Sequence, residues 1–381
     1  MTYARQRLWL GITGVGTTVM LCIAAVTLDL PHRFLNPLAD QSFGSAVASI
    51  ALVWMLHAAL LLPVDIAGGL LVVRVKPGVL RWLAGWLRGV TVQWLIFALS
   101  ASLLLRAGQQ FGLTSAMLVF LLLQVMLLSR QGLVAWMAGG IRLQDAAPEL
   151  TALATAAGIP SAAVRIADSD DPAFVGGWTG TDAQRLWIPA RWIELLSGEQ
   201  MAVVLSRRAA VKRLGLRRRG VLVALAWNTV GFVLATSAPR ADLVTAAGFV
   251  TMMAWFTLWS FAGVLVLPSL SRPAVFNADA AARRSHERDA VAGTITQLDQ
   301  WQDDEPERGE RVETIFHPVP SRGARLRALD AAAAAAPAAS SGAWHATRMM
   351  LYLSWAGIGG LARAVHCNIG RPSLWVMLPG D

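Results

Sequence analysis

Charge is scarce in this sequence: Asp, Glu, Lys and Arg make up 15% of its 381 residues, against 55% hydrophobic. A chain so apolar, with a mean hydropathy of +0.50, has neither the solvated surface of a soluble globular protein nor the polar composition of a disordered one. Cysteine is nearly absent. Cys22 in an apolar stretch and Cys367 near the C-terminus are too few for a disulfide framework or a Cys-based metal knuckle. Tyrosine occurs twice beside 16 Trp, and lysine only as Lys76 and Lys212, so arginine carries the net charge of +9. Those arginines are not interleaved with aromatics in a nucleic-acid-binding pattern, which argues against nucleic acid as a partner. They read as loop residues that face anionic lipid.

What is abundant is apolar run length. A bilayer-spanning helix needs about 20 mostly apolar residues, and uncharged or nearly uncharged runs occur at 8–28, 43–73, 89–105, 111–129, 220–239 and 243–267. Six spans are therefore expected. The first run is long for a signal-peptide core and lacks a small-residue cleavage site, so Arg5 and Arg7 read as the flank of an uncleaved anchor. The connection between the second and third spans carries Arg74, Lys76, Arg81 and Arg88, whereas the alternate connections carry Arg33, Arg106 and Arg240. By the positive-inside rule the termini, the 74–88 loop and the segment 130–219 are expected to be cytoplasmic.

The second run is too long for a simple perpendicular span and contains His57, Pro63 and Asp65, so it is expected to kink at Pro63 or to emerge near Asp65. Intramembrane His and Asp are functional candidates by default. One of each, with no series of partners elsewhere, favours a structural or interfacial role over a proton path. The absence of an internal repeat also lowers the case for a transporter.

Two stretches are water-soluble by composition, 141–219 and 270 to the end. In the first, Ala147–Ile159 is expected to be a helix, Ala163–Ala167 and Arg185–Pro189 strands, and Gly198–Arg213 a helix with Met201, Val204, Leu205 and Ala209 on its apolar side. Between the strands lies the Gly-rich Phe174-Val175-Gly176-Gly177-Trp178. In the second, 277–301 is expected to be helical, 302–313 an acidic loop, and the Ala run 331–336 a linker or a short helix ending in one. Met349–Ala362 is too short to span and is expected in the core or on the membrane surface. No G-x-S-x-G elbow, phosphate loop or Rossmann fingerprint is present.

The order of these parts resembles the integral-membrane zinc metallopeptidases of the HtpX and CAAX prenyl protease type. The shared outline runs over about 140–330: a Gly-rich strand, a strand ending in Pro, a Leu-Leu-Ser-Gly-Glu-Gln turn into a helix, two further spans, an Ala-Asp helix, and a His-Pro-x-Pro…Arg…Leu stretch. The resemblance implies a zinc-binding HExxH on the helix after the turn, a third ligand in an E-x-x-A-D frame, and a later His-Pro…Arg…Leu motif. In this sequence those places hold Ser206-Arg207-Arg208-Ala209-Ala210-Val211, then Val275-Phe276-Asn277-Ala278-Asp279, then His317-Pro318-Val319-Pro320-Ser321-Arg322…Arg325-Leu326…Leu329.

The departures bear on chemistry. HExxH places two imidazoles on one helical face toward one zinc, with Glu polarising the attacking water. Here Arg207 and Val211 stand for the His pair, Arg208 for the Glu and Val275 for the third ligand. Guanidinium has donors only and valine has no donor atom, so these four are degenerate positions and no metal is expected there, although the family implies zinc. The six His are nowhere four residues apart, and His286 with Asp289 is a single pair among arginines. The Asp of the Ala-Asp pair is implied by the resemblance to support a ligand His, so Asp279 is expected to pair with Arg207 or Arg208 in place of coordination. The alternative is that both arginines face water or lipid phosphate.

What the resemblance leaves is a peptide groove, with Ala173–Trp178 as the edge strand along which an extended chain would lie. Phe174, Val175, Gly176, Gly177, Trp178, Asp279, His317 and Arg322 are the candidate binding residues, with a core reading open for Phe174 and Trp178 and a loop reading for His317. The expected fold is a mainly α-helical polytopic membrane protein with a split cytoplasmic α+β, gluzincin-like domain. It comprises four membrane helices in 1–140, a first peptidase-like half in 141–219, two membrane helices in 220–268 and a second half in 269–381. The expected function is a catalytically inactive peptidase homologue in the inner cell membrane that binds polypeptide or another membrane protein. The alternatives are an active membrane metalloendopeptidase with a relocated site and a small-molecule transporter.

Overall fold

The apolar runs become long helices. The computed structural model describes residues 2–35, 42–302, 305–332, 341–355 and 360–377. In chain order these form α1 (Tyr3–Thr27), α2 (Leu30–Leu35), α3 (Phe43–Ile66) continued by a π-helical turn at Ala67–Leu71, α4 (Val79–Ser129) and α5 (Gln131–Gly139). Next come β1 (Arg142–Asp145), α6 (Pro148–Ala156), β2 (Val164–Asp168), β3 (Gly177–Thr179), β4 (Arg185–Pro189), α7 (Ala190–Leu195) and α8 (Gly198–Arg213). The rest is helical: α9 (Leu216–Thr236), α10 (Ala246–Arg283), α11 (Arg288–Gln302), α12 (Glu310–Phe316), α13 (Arg322–Ala332) and α14 (Ala346–Leu353).

Among the described residues five helices are long and apolar enough to cross a membrane, and the chain is a multi-pass membrane protein. α4 is two helices run together across a kink, and the expected spans 89–105 and 111–129 correspond to its two parts. Arg106, expected in a connection, stays helical, and the break comes at Gly112, with φ 73° and ψ −171°. Pro63 lies inside α3 and does not end it, and Asp65 is buried instead of emerging.

The chain divides into two compact units: Met1–Gly139 with Leu225–Gly263 and Met350–Val376, and Gly140–Ala224 with Val264–Met349 and Met377–Asp381. In the first unit α3 is apolar on both sides. Ile50, Trp54, Ala58, Leu61 and Asp65 are buried, while Leu52, Leu56 and Leu60 are exposed, as a helix solvated by lipid requires. Phe120 stacks on Phe232 and meets Phe256 edge-on, joining α4, α9 and α10.

The segment 360–377 corrects a boundary. It was expected with the soluble second half, yet Met350–Val376 belongs with the helices. Its backbone is irregular apart from short turns at Leu361–Arg363 and Pro372–Leu374, a form that survives among membrane helices only where protein satisfies its polar groups. Arg7 donates to the carbonyls of Gly68 and His366, each at 2.6 Å. Trp82 Nε1 donates to Gly370 O at 2.8 Å, and Gly370 N donates to Asp65 Oδ1 at 2.9 Å.

The second unit holds a four-stranded sheet in the order β1-β2-β4-β3. β2 and β4 are parallel, with Val164 opposite Leu186, and the outer pairs are antiparallel. The strand expected at 163–167 and the strand and helix expected at 185–189 and 198–213 form within a residue of those limits. The helix expected at 277–301 is interrupted between Arg283 and Arg288, and the acidic loop 302–313 gives way to α12, its residues 303–304 lying outside the described ones. Most of the 331–336 run also lies outside them.

Candidate functional site

α8 starts where its sequence says it should. Ser197 Oγ accepts from Gln200 N at 3.2 Å and Gln200 Oε1 accepts from Ser197 N at 3.0 Å, a reciprocal capping box that satisfies two orphan amides. Beyond that start the helix is buried on nearly every side, from Met201 through Val211, including Arg207 and Arg208. Two guanidiniums cannot sit in an apolar interior without acceptors, so their bonds decide what the site is.

Arg207 Nε donates to Asp279 Oδ1 at 2.7 Å, the pairing expected from the sequence. A third segment joins it: Arg325 on α13 donates from Nε to Asp279 Oδ2 at 2.8 Å and from Nη2 to Oδ1 at 2.9 Å. All three side chains are buried. Asp279 lies past Pro273 on α10, beyond the apolar span 243–267. Burial pushes its carboxyl pKa up, and the guanidiniums of Arg207 and Arg325 more than reverse this and hold it below the usual carboxylate range. Arg208 turns the other way, with Nη2 donating to Val175 O at 2.9 Å.

Val211, one turn beyond Arg207, and Val275, one turn before Asp279, are both buried in the same apolar core with Val204, Leu205 and Ala278. This donor set does not fit zinc: two guanidiniums carry no lone pair for a cation, two valines carry no donor atom, and the remaining carboxylate already accepts three charge-assisted hydrogen bonds. Elsewhere His286 Nε2 lies 2.7 Å from Ser206 Oγ, while Asp289 faces Arg288 at 3.3 Å. Among the described residues no group of three or more His, Cys, Asp or Glu converges on one point.

The candidate groove is placed with more precision than the sequence allowed. β3 is an edge strand, but it starts at Gly177 instead of Ala173. Gly176 has φ 63°, and a Cβ there would strike Trp187 O, so the chain can turn into β3 beside β4 only with glycine. Phe174, Val175, Gly176, Gly177 and Trp178 are all buried. Phe174 and Trp178 are therefore core side chains, with Trp178 Nε1 donating to Arg208 O at 2.8 Å, and Val175 O is taken by Arg208. His317 is buried at the end of α12. Arg322, expected in the site, faces Asp299 at 3.7 Å. Arg325, three residues on and within the same motif, is the arginine that reaches Asp279.

No protein-family model matches the sequence, and no curated protein matches it. In fold the chain is similar to the crystal structure of S. mikatae Ste24p, with a TM-score of 0.63 and 14% identity over 83% of this chain and 81% of that one. At that identity the likeness is one of architecture.

Proposed function

We propose that the chain is a catalytically inactive homologue of the membrane metallopeptidases, which binds polypeptide or another membrane protein as a regulator, adaptor or assembly partner. The fold likeness to Ste24p and the order of motifs support the ancestry. One observation carries the loss of chemistry: the Arg207–Asp279–Arg325 network takes up the polar group that would support a zinc ligand and puts cations at the place of the metal. Peptide recognition along β3 would need that edge uncovered, since its three residues are buried. The basic residues Arg74, Lys76, Arg81 and Arg88 support a cytoplasmic side for the 74–88 stretch.

The test is the metal content of the detergent-purified protein by elemental mass spectrometry, beside a variant carrying His286→Ala, His317→Ala and His345→Ala. Zinc near zero in both is the expected result. Stoichiometric zinc that disappears in the variant would establish a relocated site and a live metalloendopeptidase, and overturn the reading.

A further inference from the structure

The first unit carries a polar layer on the inward faces of three membrane helices. Phe120 on α4 meets Phe232 on α9 and Phe256 on α10, with ring centroids 4.4 and 6.0 Å apart. Four residues from each phenylalanine, and so on the same face of its helix, stand Gln124, Asn228 and Ser260, all fully buried. α14 fixes the directions. Tyr352 OH donates to Leu127 O at 2.8 Å, Asn228 Nδ2 donates to Met350 O at 3.1 Å, and a Cβ on Gly263 would meet Met350 Cε. Following α4 and α10 forward and α9 backward from the phenylalanines therefore leads to one place, the Met350–Tyr352 turn. Gln124, Asn228 and Ser260 lie between that turn and the aromatic layer, on adjoining helices.

Their hydrogen bonding is incomplete. Ser260 Oγ donates to Phe256 O at 2.9 Å and keeps its lone pairs. Gln124 Nε2, Gln124 Oε1 and Asn228 Oδ1 are buried with no hydrogen-bond partner among the described residues. All three residues fall within helices long and apolar enough to cross a membrane, where lipid supplies no partner and an unsatisfied polar group is costly. The lining asks for both kinds of bond: Gln124 Nε2 donates, whereas Gln124 Oε1, Asn228 Oδ1 and Ser260 Oγ accept. An anion serves only the donor and a cation only the acceptors. Water serves both, and its usual three or so bonds match one acceptance from Gln124 Nε2 and donations to Asn228 Oδ1 and Ser260 Oγ. Gln124 Oε1 is left for a second molecule.

We propose that this layer is a binding site for internal water, one molecule bridging Gln124, Asn228 and Ser260 and a second on Gln124 Oε1. The water makes a hydrogen-bonded joint between α4, α9 and α10 at a depth where lipid offers none, and the three phenylalanines seal it on one side.

The test is X-ray radiolytic labelling of the detergent-purified protein, in which a short pulse splits water into hydroxyl radicals and a fully buried side chain is oxidised by water bound beside it. Met350 borders the layer, while Met252 is equally buried on α10, one turn away on the far side of the aromatic layer. Met350 is expected to be oxidised severalfold faster than Met252 in the wild type, and in Gln124→Leu to fall to the rate of Met252. Equal rates in the wild type would mean a dry layer and overturn the site. A Met350 rate unchanged by Gln124→Leu would place the water elsewhere and overturn it equally. Electron density in crystals of the wild type needs no variant: a water peak within hydrogen-bonding reach of both Gln124 and Asn228 supports the site, and a direct amide–amide contact or an apolar side chain between them refutes it.

Discussion

Arg207 reaches Asp279 across 72 residues of sequence, at 2.7 Å between Nε and Oδ1. With Arg325 on the same carboxylate, one acid ties α8, α10 and α13 together where a zinc peptidase would tie its segments through a metal. Buried ion pairs add little net stability over an apolar replacement, but removing one partner strands a charge.

The two ends of this network are unequal. Asp279→Leu leaves two buried guanidiniums without their acceptor and is expected to cost about 3–5 kcal/mol. Arg207→Met leaves Asp279 with the two bonds from Arg325 and is expected to cost about 1–3 kcal/mol. Equilibrium unfolding in mixed detergent micelles ranks the two, and equal losses would mean that Arg325 does not hold the acid alone.

The pH dependence has a definite sign. The pKa of Asp279 is lowered in the folded protein from an unfolded value of about 3.9. Its ionised form therefore contributes stability that is fully present above the unfolded pKa and is lost as pH falls through the folded one. The gap in melting temperature between wild type and Asp279→Asn is expected to be constant from pH 7 to about 5 and to narrow below about 4. A gap that stays unchanged down to pH 3 would show that the carboxylate charge does not hold the network.

Much of this site was legible because its signals are local. Ser197 and Gln200 mark the start of α8 by their spacing alone, while the ligand positions come from the resemblance to the membrane metallopeptidases. The choice between Arg322 and Arg325 was not legible, since three residues apart on one helix both are plausible and only packing selects the face. β1 is exposed along its length and so shows no alternation, and β3 is three residues long. Asp65 and Arg363 are 298 residues apart, and the partner of an intramembrane acid at that distance leaves no trace in the pattern around either residue.

If the framework around α8 is still that of a metallopeptidase, the ligands can be put back. The combination Arg207→His, Arg208→Glu, Val211→His and Val275→Glu restores an HExxH and the third ligand on helices that already bring those positions into one core. About one zinc per chain is expected in this variant, from the four-coordinate demand of the ion with one position left to water. Elemental analysis after dialysis decides it, and a metal-free but folded variant would mean that α8 and α10 have drifted out of coordinating distance.

The C-terminal segment offers a test that leaves the peptidase-like unit untouched. Gly370 has φ 67°, and a Cβ on it would overlap the carbonyl oxygen of Asp65 and the amide of Gly69. Gly370→Ala therefore combines left-handed backbone strain with a steric clash, at a cost of about 2–4 kcal/mol. The strain falls on a segment held by Asp65, Trp82 and Arg7, so the first consequence is local release of 360–377 rather than loss of the whole fold. Limited proteolysis is expected to cut Gly370→Ala within 360–377 while the wild type resists. Asp65→Asn, which strands Arg363 in a buried setting, is expected to open the same segment. Cleavage confined to other loops in both variants would separate the segment from the helices it is seen to fasten.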